Sequence, residues 1–196
     1  VRKFTVPIHS FGLGNNCATM APALTGVREL KVFFPEMAME DLQVVFSSCK
    51  FLEELEFTSC QHLKHIKATS FGNILCSDVL RKVAVLNAGV DADIAPFCEF
   101  LRSNFGNLSE LSFLGNSFPG HNVAEEIALI PSIQSLFLVG KDLRPADFTT
   151  LASGLFKIKH FSLREYGFDL TSFFASPCCS LLESVEMLCC NVFFDL

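Results

Sequence analysis

Apolar residues in the spacing φ-x-x-φ-x-φ, with φ apolar, recur eight times: Val1/Phe4/Val6, Val27/Leu30/Val32, Leu52/Leu55/Phe57, Leu80/Val83/Val85, Leu108/Leu111/Phe113, Ile133/Leu136/Leu138, Ile158/Phe161/Leu163 and Leu182/Val185/Met187. Successive starts advance by 26, 25, 28, 28, 25, 25 and 24 residues. In a chain that is 50% apolar one triplet carries little weight, but eight in near-constant register carry a great deal. Alternation of the last two φ positions with an x residue is the period of a half-buried strand. Between the triplets lie Met39 to Cys49, Asp91 to Ser103, Asn122 to Leu129 and Pro145 to Leu155. Their apolar residues recur at helical spacing, as with Leu42, Val45, Phe46 and Cys49, and Asp91 and Pro145 stand where a helix begins. Each unit therefore reads strand, turn, helix, return. The interval from Gln61 to Asp78 is the weakest unit, with Ser70, Gly72 and Asn73 in its middle, and a loop or short helical turn is expected there.

A unit of this length cannot bury the apolar side of its own strand, so neighbouring units must cover it, and stacking makes one continuous core. The strands are then expected to lie side by side in chain order as a parallel sheet.

The stretch Cys49-Lys50-Phe51-Leu52-Glu53-Glu54-Leu55-Glu56-Phe57-Thr58-Ser59-Cys60 fits C-x-x-L-x-x-L-x-L-x-x-C, and Cys179 to Cys190 repeats it with Leu182, Val185 and Met187 at the apolar positions. This resembles the cysteine-containing leucine-rich repeat, the RNI-like, F-box-associated subfamily. Other units keep the strand and lose the final cysteine: Asn116 stands there in the fifth, and His9, Pro35, Ala88, Lys141 and Tyr166 elsewhere. The resemblance implies an α/β leucine-rich-repeat solenoid, a horseshoe of about eight repeats of 24–28 residues. Its parallel sheet would be concave and its helices convex, with residues 1–196 forming a single domain. It also implies the substrate-recognition part of an F-box type ubiquitin ligase subunit. A Skp1-like adaptor would then dock on a helical segment that Val1 to Leu196 does not contain. The alternative is a leucine-rich repeat scaffold or sensor, in an immune receptor or a multi-subunit assembly. A strand already at Val1, and an end at Leu196 soon after the last strand, suggest a piece of a longer chain without its caps.

In this arrangement the x positions face away from the core and form the natural binding surface for a protein partner. They read Arg2, Lys3, Thr5; Arg28, Glu29, Lys31; Glu53, Glu54, Glu56; Arg81, Lys82, Ala84; Ser109, Glu110, Ser112; Gln134, Ser135, Phe137; Lys159, His160, Ser162; and Glu183, Ser184, Glu186. Charge is zoned, with basic, acidic and quiet units in alternation. One step further along lie Pro7, Phe33, Thr58, Leu86, Leu114, Val139, Arg164 and Leu188, either an exposed apolar rail or side chains tucked under the turns. The candidate contacts are therefore Arg28, Lys31, Phe33, Glu53, Glu54, Glu56, Arg81, Lys82, Leu114, Phe137, Lys159, His160 and Arg164, the apolar and aromatic ones as anchors. Reversing Glu53, Glu54 and Glu56 together is expected to weaken partner binding and leave the fold intact.

Composition supports this reading. The 22 Phe, with no Trp and one Tyr, favour core filling over polar-tipped aromatic contacts. A net charge of −6 repels phosphate backbones, which argues against nucleic acid. Nine scattered cysteines match no secreted disulfide framework and read as reduced thiols, so a cytoplasmic or nuclear protein without a membrane span is expected. Catalytic chemistry finds little support. His62 and His65 beside Cys60 lack an orienting third group. The adjacent pairs Cys178/Cys179 and Cys189/Cys190 lack zinc spacing and, if on strands, would point opposite ways. Asp91 and Asp93 are better explained by a helix start, and Gly12-Leu13-Gly14 by a turn. Cys60, Asn116 and Cys190 are read as turn residues satisfying backbone groups. No enzyme activity, metal or cofactor is expected.

Overall fold

The alternation of apolar and polar residues in each triplet becomes a strand. The computed structural model describes residues 3–6, 22–33, 44, 46–58, 78–86, 94–114, 120–139, 143–164, 167 and 170–188, with backbone alone at 4–6, 33, 120–122 and 172. Eight strands form: β1 Lys3–Val6, β2 Glu29–Phe33, β3 Glu54–Thr58, β4 Lys82–Leu86, β5 Glu110–Leu114, β6 Ser135–Val139, β7 His160–Arg164 and β8 Ser184–Leu188. They make one sheet in the order β1-β2-β3-β4-β5-β6-β7-β8, every neighbouring pair parallel. The register joins equivalent triplet positions: Phe4, Leu30, Leu55, Val83, Leu111, Leu136, Phe161 and Val185 lie on one line across the sheet. A slip by one residue would turn each apolar set to the other face, so burial fixes this register.

Helices cover one face. They are α1 Ala95–Asn104, α2 Gly120–Ala128, α3 Pro145–Gly154 and the short α4 Thr171–Phe174, followed by a 3-10 turn at Pro177–Leu181. Further helical residues stand at 22–24 and 46–48. Helix residues such as Phe97, Phe100, Ile127, Phe148 and Leu151 join strand residues such as Leu55, Phe57, Leu111 and Phe161 in a single buried core. The phenylalanines do fill that core. Phe57 meets Phe97 edge-on at 5.4 Å and Phe100 meets Phe105 at 5.4 Å, while Phe161 and Phe173 lie 4.8 Å apart with Phe148 against both. Each such pair contributes about 0.5–1.5 kcal/mol beyond its buried area.

Helix starts depart partly from expectation. Pro145 opens α3, where its fixed φ suits the first turn and its missing N–H costs nothing. Asp147 completes the start: its nearly buried carboxylate accepts the Arg144 backbone N–H at 2.7 Å. By contrast α1 begins at Ala95 after Ile94, which gives no side-chain cap, and has Pro96 in its first turn. Asp91 and Asp93 lie outside the described residues, as does the weak interval up to residue 77. Of the helix expected from Met39 to Cys49, Val44 and 46–48 are described, and they are helical.

The turn into each strand repeats. The N–H of Val27 donates to the Leu24 carbonyl, Leu52 to Cys49, Leu108 to Phe105, Ile133 to Ile130 and Leu182 to Cys179. Leu24, Cys49, Phe105 and Ile130 are all buried. The first cysteine of the motif therefore occupies a core position that Leu, Phe or Ile fills in other units, as suits a side chain that packs like a small hydrophobe. A second backbone line runs beside the strands. The carbonyl of Arg28 accepts the N–H groups of both Glu53 and Glu54, and the carbonyls of Glu53, Arg81, Ser109, Gln134 and Lys159 each accept the equivalent two.

Two further features position the surfaces. At the end of α3, a Cβ on Gly154 would lie 2.3 Å from the Ala128 carbonyl oxygen, so glycine permits the close approach of α3 to α2. At β8 the apolar side is partly open. Val185 is 41% exposed, whereas its counterparts Leu30, Leu55, Val83, Leu111, Leu136 and Phe161 are at most 1% exposed.

Candidate functional site

The face of the sheet opposite the helices carries the x positions. Strand alternation puts Leu30, Leu55 and Leu111 inside and Lys31, Glu56 and Ser112 outside. Because the strands are parallel and in register, like positions from successive units meet as lateral neighbours. Charged candidates therefore face one another, and most of them pair.

On β1 to β4 and the residues that lead into them, Lys3 pairs with Glu29 at 2.9 Å, Lys31 with Glu56, and Lys82 with Glu110 at 3.6 Å. Glu53 sits between two cations, bound by Arg28 on one side and by Arg81 at 3.5 Å on the other. The hydrogen bond from Lys3 to Glu29, aided by their attraction, raises the Lys3 pKa above its ordinary value. At the far end Lys159 pairs with Glu183 at 2.6 Å, and that hydrogen bond holds the Glu183 carboxyl below its usual range. His160 Nδ1 and Ser184 Oγ are 2.8 Å apart, and the Ser162 hydroxyl donates to Glu186 at 2.9 Å. The structure thus brings Arg28, Lys31, Glu53, Glu56, Arg81, Lys82, Lys159 and His160 onto one face and joins them chiefly to each other. Glu54 is exposed on the same face.

This changes one expectation. Reversing Glu53, Glu54 and Glu56 together is not a clean test of binding, because two of the three carboxylates hold neighbouring units together.

The β5–β7 stretch differs in character. Phe137 is half-buried and flanked in register by Ser112 on β5 and Ser162 on β7. The Arg164 guanidinium carbon lies 5.0 Å from the centre of the Phe137 ring, a cation–π contact. Leu86, Leu114, Val139 and Leu188 are half-buried, between an exposed rail and side chains hidden under turns. Phe33 ends β2, and its side chain lies outside the described residues.

The remaining chemistry is sparse. Cys178 and Cys179 are not on a strand: the 3-10 turn brings their sulfurs within 3.6 Å, against the expectation that adjacent cysteines diverge. Burial, with the Cys178 contact second, pushes the Cys179 thiol up to about 12, and its S–H donates to the Phe173 carbonyl at 3.1 Å. A thiol held protonated is a poor nucleophile and a poor metal ligand. Among the described residues no cluster of three or more His, Cys, Asp or Glu could hold a metal ion. Cys60, His62, His65, Asn116, Cys189, Cys190 and Gly12 to Gly14 lie outside them.

Concavities lie on both sides of the sheet. One of about 130 Å³ lies on the open face among Lys3, Glu29, Lys31, Glu54, Glu56 and Lys82. Another of about 350 Å³ lies on the helix side among Thr149, Ala152, Phe156, Pro177 and Cys178. Among the described residues no helix is long and apolar enough to cross a membrane.

Sequence reasoning missed the cross-unit ion pairs and the Arg164–Phe137 stack. The pairs had a signal, since Arg28, Glu53 and Arg81 alternate in sign at one triplet position. The stack is diagonal, between neighbouring strands and two positions apart, and shows only once the register is known. In comparison with known proteins, the chain matches no family model and no curated protein.

Proposed function

We propose that this chain is a leucine-rich repeat solenoid of the cysteine-containing kind that binds another protein on the open face of its sheet. We further propose that it acts in the cytoplasm or nucleus as the substrate-recognition part of an F-box type ubiquitin ligase subunit. The observation that carries the first statement is the unbroken line of equivalent residues across eight parallel strands in chain order, with the described helices on one face. Among the described residues, that leaves a broad, side-chain-rich face with no helix over it. The ligase statement rests on the cysteine spacing in Cys49 to Cys60 and Cys179 to Cys190. The burial of Cys49 and Cys98 in the core supports a reduced, intracellular setting.

The test is photo-crosslinking from single positions in the full-length protein in cells. Crosslinkers at Ser112 and Ser162 on the open face are expected to capture a protein, and those at Arg102, Glu125 and Ser153 on the helices are not. Capture confined to the helix positions would overturn the choice of face. Co-purification with a ligase adaptor is expected for the ligase reading, and its absence would leave a scaffold or sensor.

A further inference from the structure

The open face is not uniform, and the difference between its halves locates the partner. On β1 to β4, Lys3, Arg28, Lys31, Arg81 and Lys82 each have a carboxylate. A partner that engaged those cations would first have to compete with an existing pair. On β7 and the residue that leads into it, Lys159 is held by Glu183 and His160 by Ser184, which leaves Arg164. It is exposed, lies over Phe137 and has no ion pair among the described residues.

We propose that the partner is seated on β5 to β7, on Phe137 and Arg164, and that this seat takes a protein segment carrying a carboxylate beside an apolar side chain. The proposal rests on the reading of the open face as a protein-binding surface. The cation–π contact with Phe137 uses no N–H hydrogen bond, and the guanidinium edge is shaped to give a carboxylate two parallel hydrogen bonds. An arginine already held against a ring also loses less side-chain freedom when it binds. The apolar half of the ligand follows from the surroundings. Ser112 and Ser162 leave the flanks of the Phe137 ring uncrowded, and Val139, in register with Arg164, is half-buried and apolar. An aromatic anchor beside a charge-specific contact is the usual make-up of a binding hot spot. A nucleic acid would offer anions too, but the net charge of −6 opposes a polyanion.

Fluorescence anisotropy with the purified full chain and labelled short peptides of central sequence Leu-X-Leu tests this, with X as Glu, Gln or Lys. Glu is expected to bind about tenfold more tightly than Gln, the size of one charge-assisted contact, and Lys most weakly. Arg164→Gln should erase the gap between Glu and Gln, and Arg164→Glu should invert the order so that Lys binds best. Phe137→Ala should weaken all three and keep their order, while Arg102→Gln on α1 should change nothing. Circular dichroism of each variant checks that the fold is retained. Equal binding of the three peptides, binding of none, an unchanged order in Arg164→Glu, or competition by single-stranded RNA as strong as by the acidic peptide would overturn the proposal. If open-face crosslinks persist while the peptide order is lost, the seat is wrong and the broader reading stands. If the crosslinks move to the helices, both fall.

Discussion

Gly154 shows how one residue sets the spacing of two helices. A methyl group there would meet the Ala128 backbone oxygen at 2.3 Å and the Ala128 Cβ at 2.6 Å, and backbone cannot rotate away as a side chain can. Alanine ordinarily favours a helix over glycine, but Gly154 is the last residue of α3, where that gain is small. Gly154→Ala is therefore expected to lower unfolding stability by about 1–3 kcal/mol, the usual cost of forced overpacking. Gly106→Ala, with nothing within 4 Å of the added carbon, should stay within about 0.5 kcal/mol of the parent. Urea denaturation of the two variants side by side measures the contrast, and equal stabilities would contradict the close approach of α2 and α3.

The strands act through their lateral neighbours. Glu53 bridges Arg28 and Arg81 across three successive units, whereas Glu54, one residue on, is exposed with no such bridge among the described residues. Exposed pairs contribute about 0.2–1 kcal/mol each, and a reversed charge adds repulsion from both arginines. Glu53→Lys should lower stability by about 1 kcal/mol, and Glu54→Lys by less than about 0.5 kcal/mol. Salt should narrow the difference, since screening weakens attraction and repulsion alike. Equal denaturation midpoints for the two would show that the bridge carries no weight. This is also where the sequence was readable and where it was not. Period-two alternation put all eight strands and their register within reach, because each strand has one side that must be buried. The apolar position three residues before most triplets is equally visible, and the cysteine motif takes it in at Cys49 but not at Leu24, Phe105 and Ile130. The start of α1 was not legible, since Ile94 and Pro96 carry no polar cap to mark it. Nor was the Cys178–Cys179 contact, which depends on a 3-10 turn where strand alternation was assumed.

Taken along its length, the molecule is a row in which each unit leans on the next. Substantial contacts join adjoining units, and no strand reaches past its neighbour in the sheet. Where contacts run between neighbours, stability is close to a sum of local contributions. Leu111→Ala on β5 should therefore cost about 2–5 kcal/mol, and native-state hydrogen exchange should show protection falling most on β4 to β6 and less on β2. An equal fall across the sheet would mean that unfolding is cooperative over the whole row.

The line of carbonyls beside the strands has a further consequence. At that line the side chains run Arg28, Glu53, Arg81, Ser109, Gln134 and Lys159, a mixture of both signs and of neutral groups, while the main chain repeats one bonding scheme throughout. Attachment between rungs is thus written in atoms that every amino acid but proline possesses in full. Apart from the ion pairs that some of these side chains make, identity at these sites is set loose from the main-chain scheme, and the surface can be re-lettered, by selection or by design, on a ruled page that stays the same.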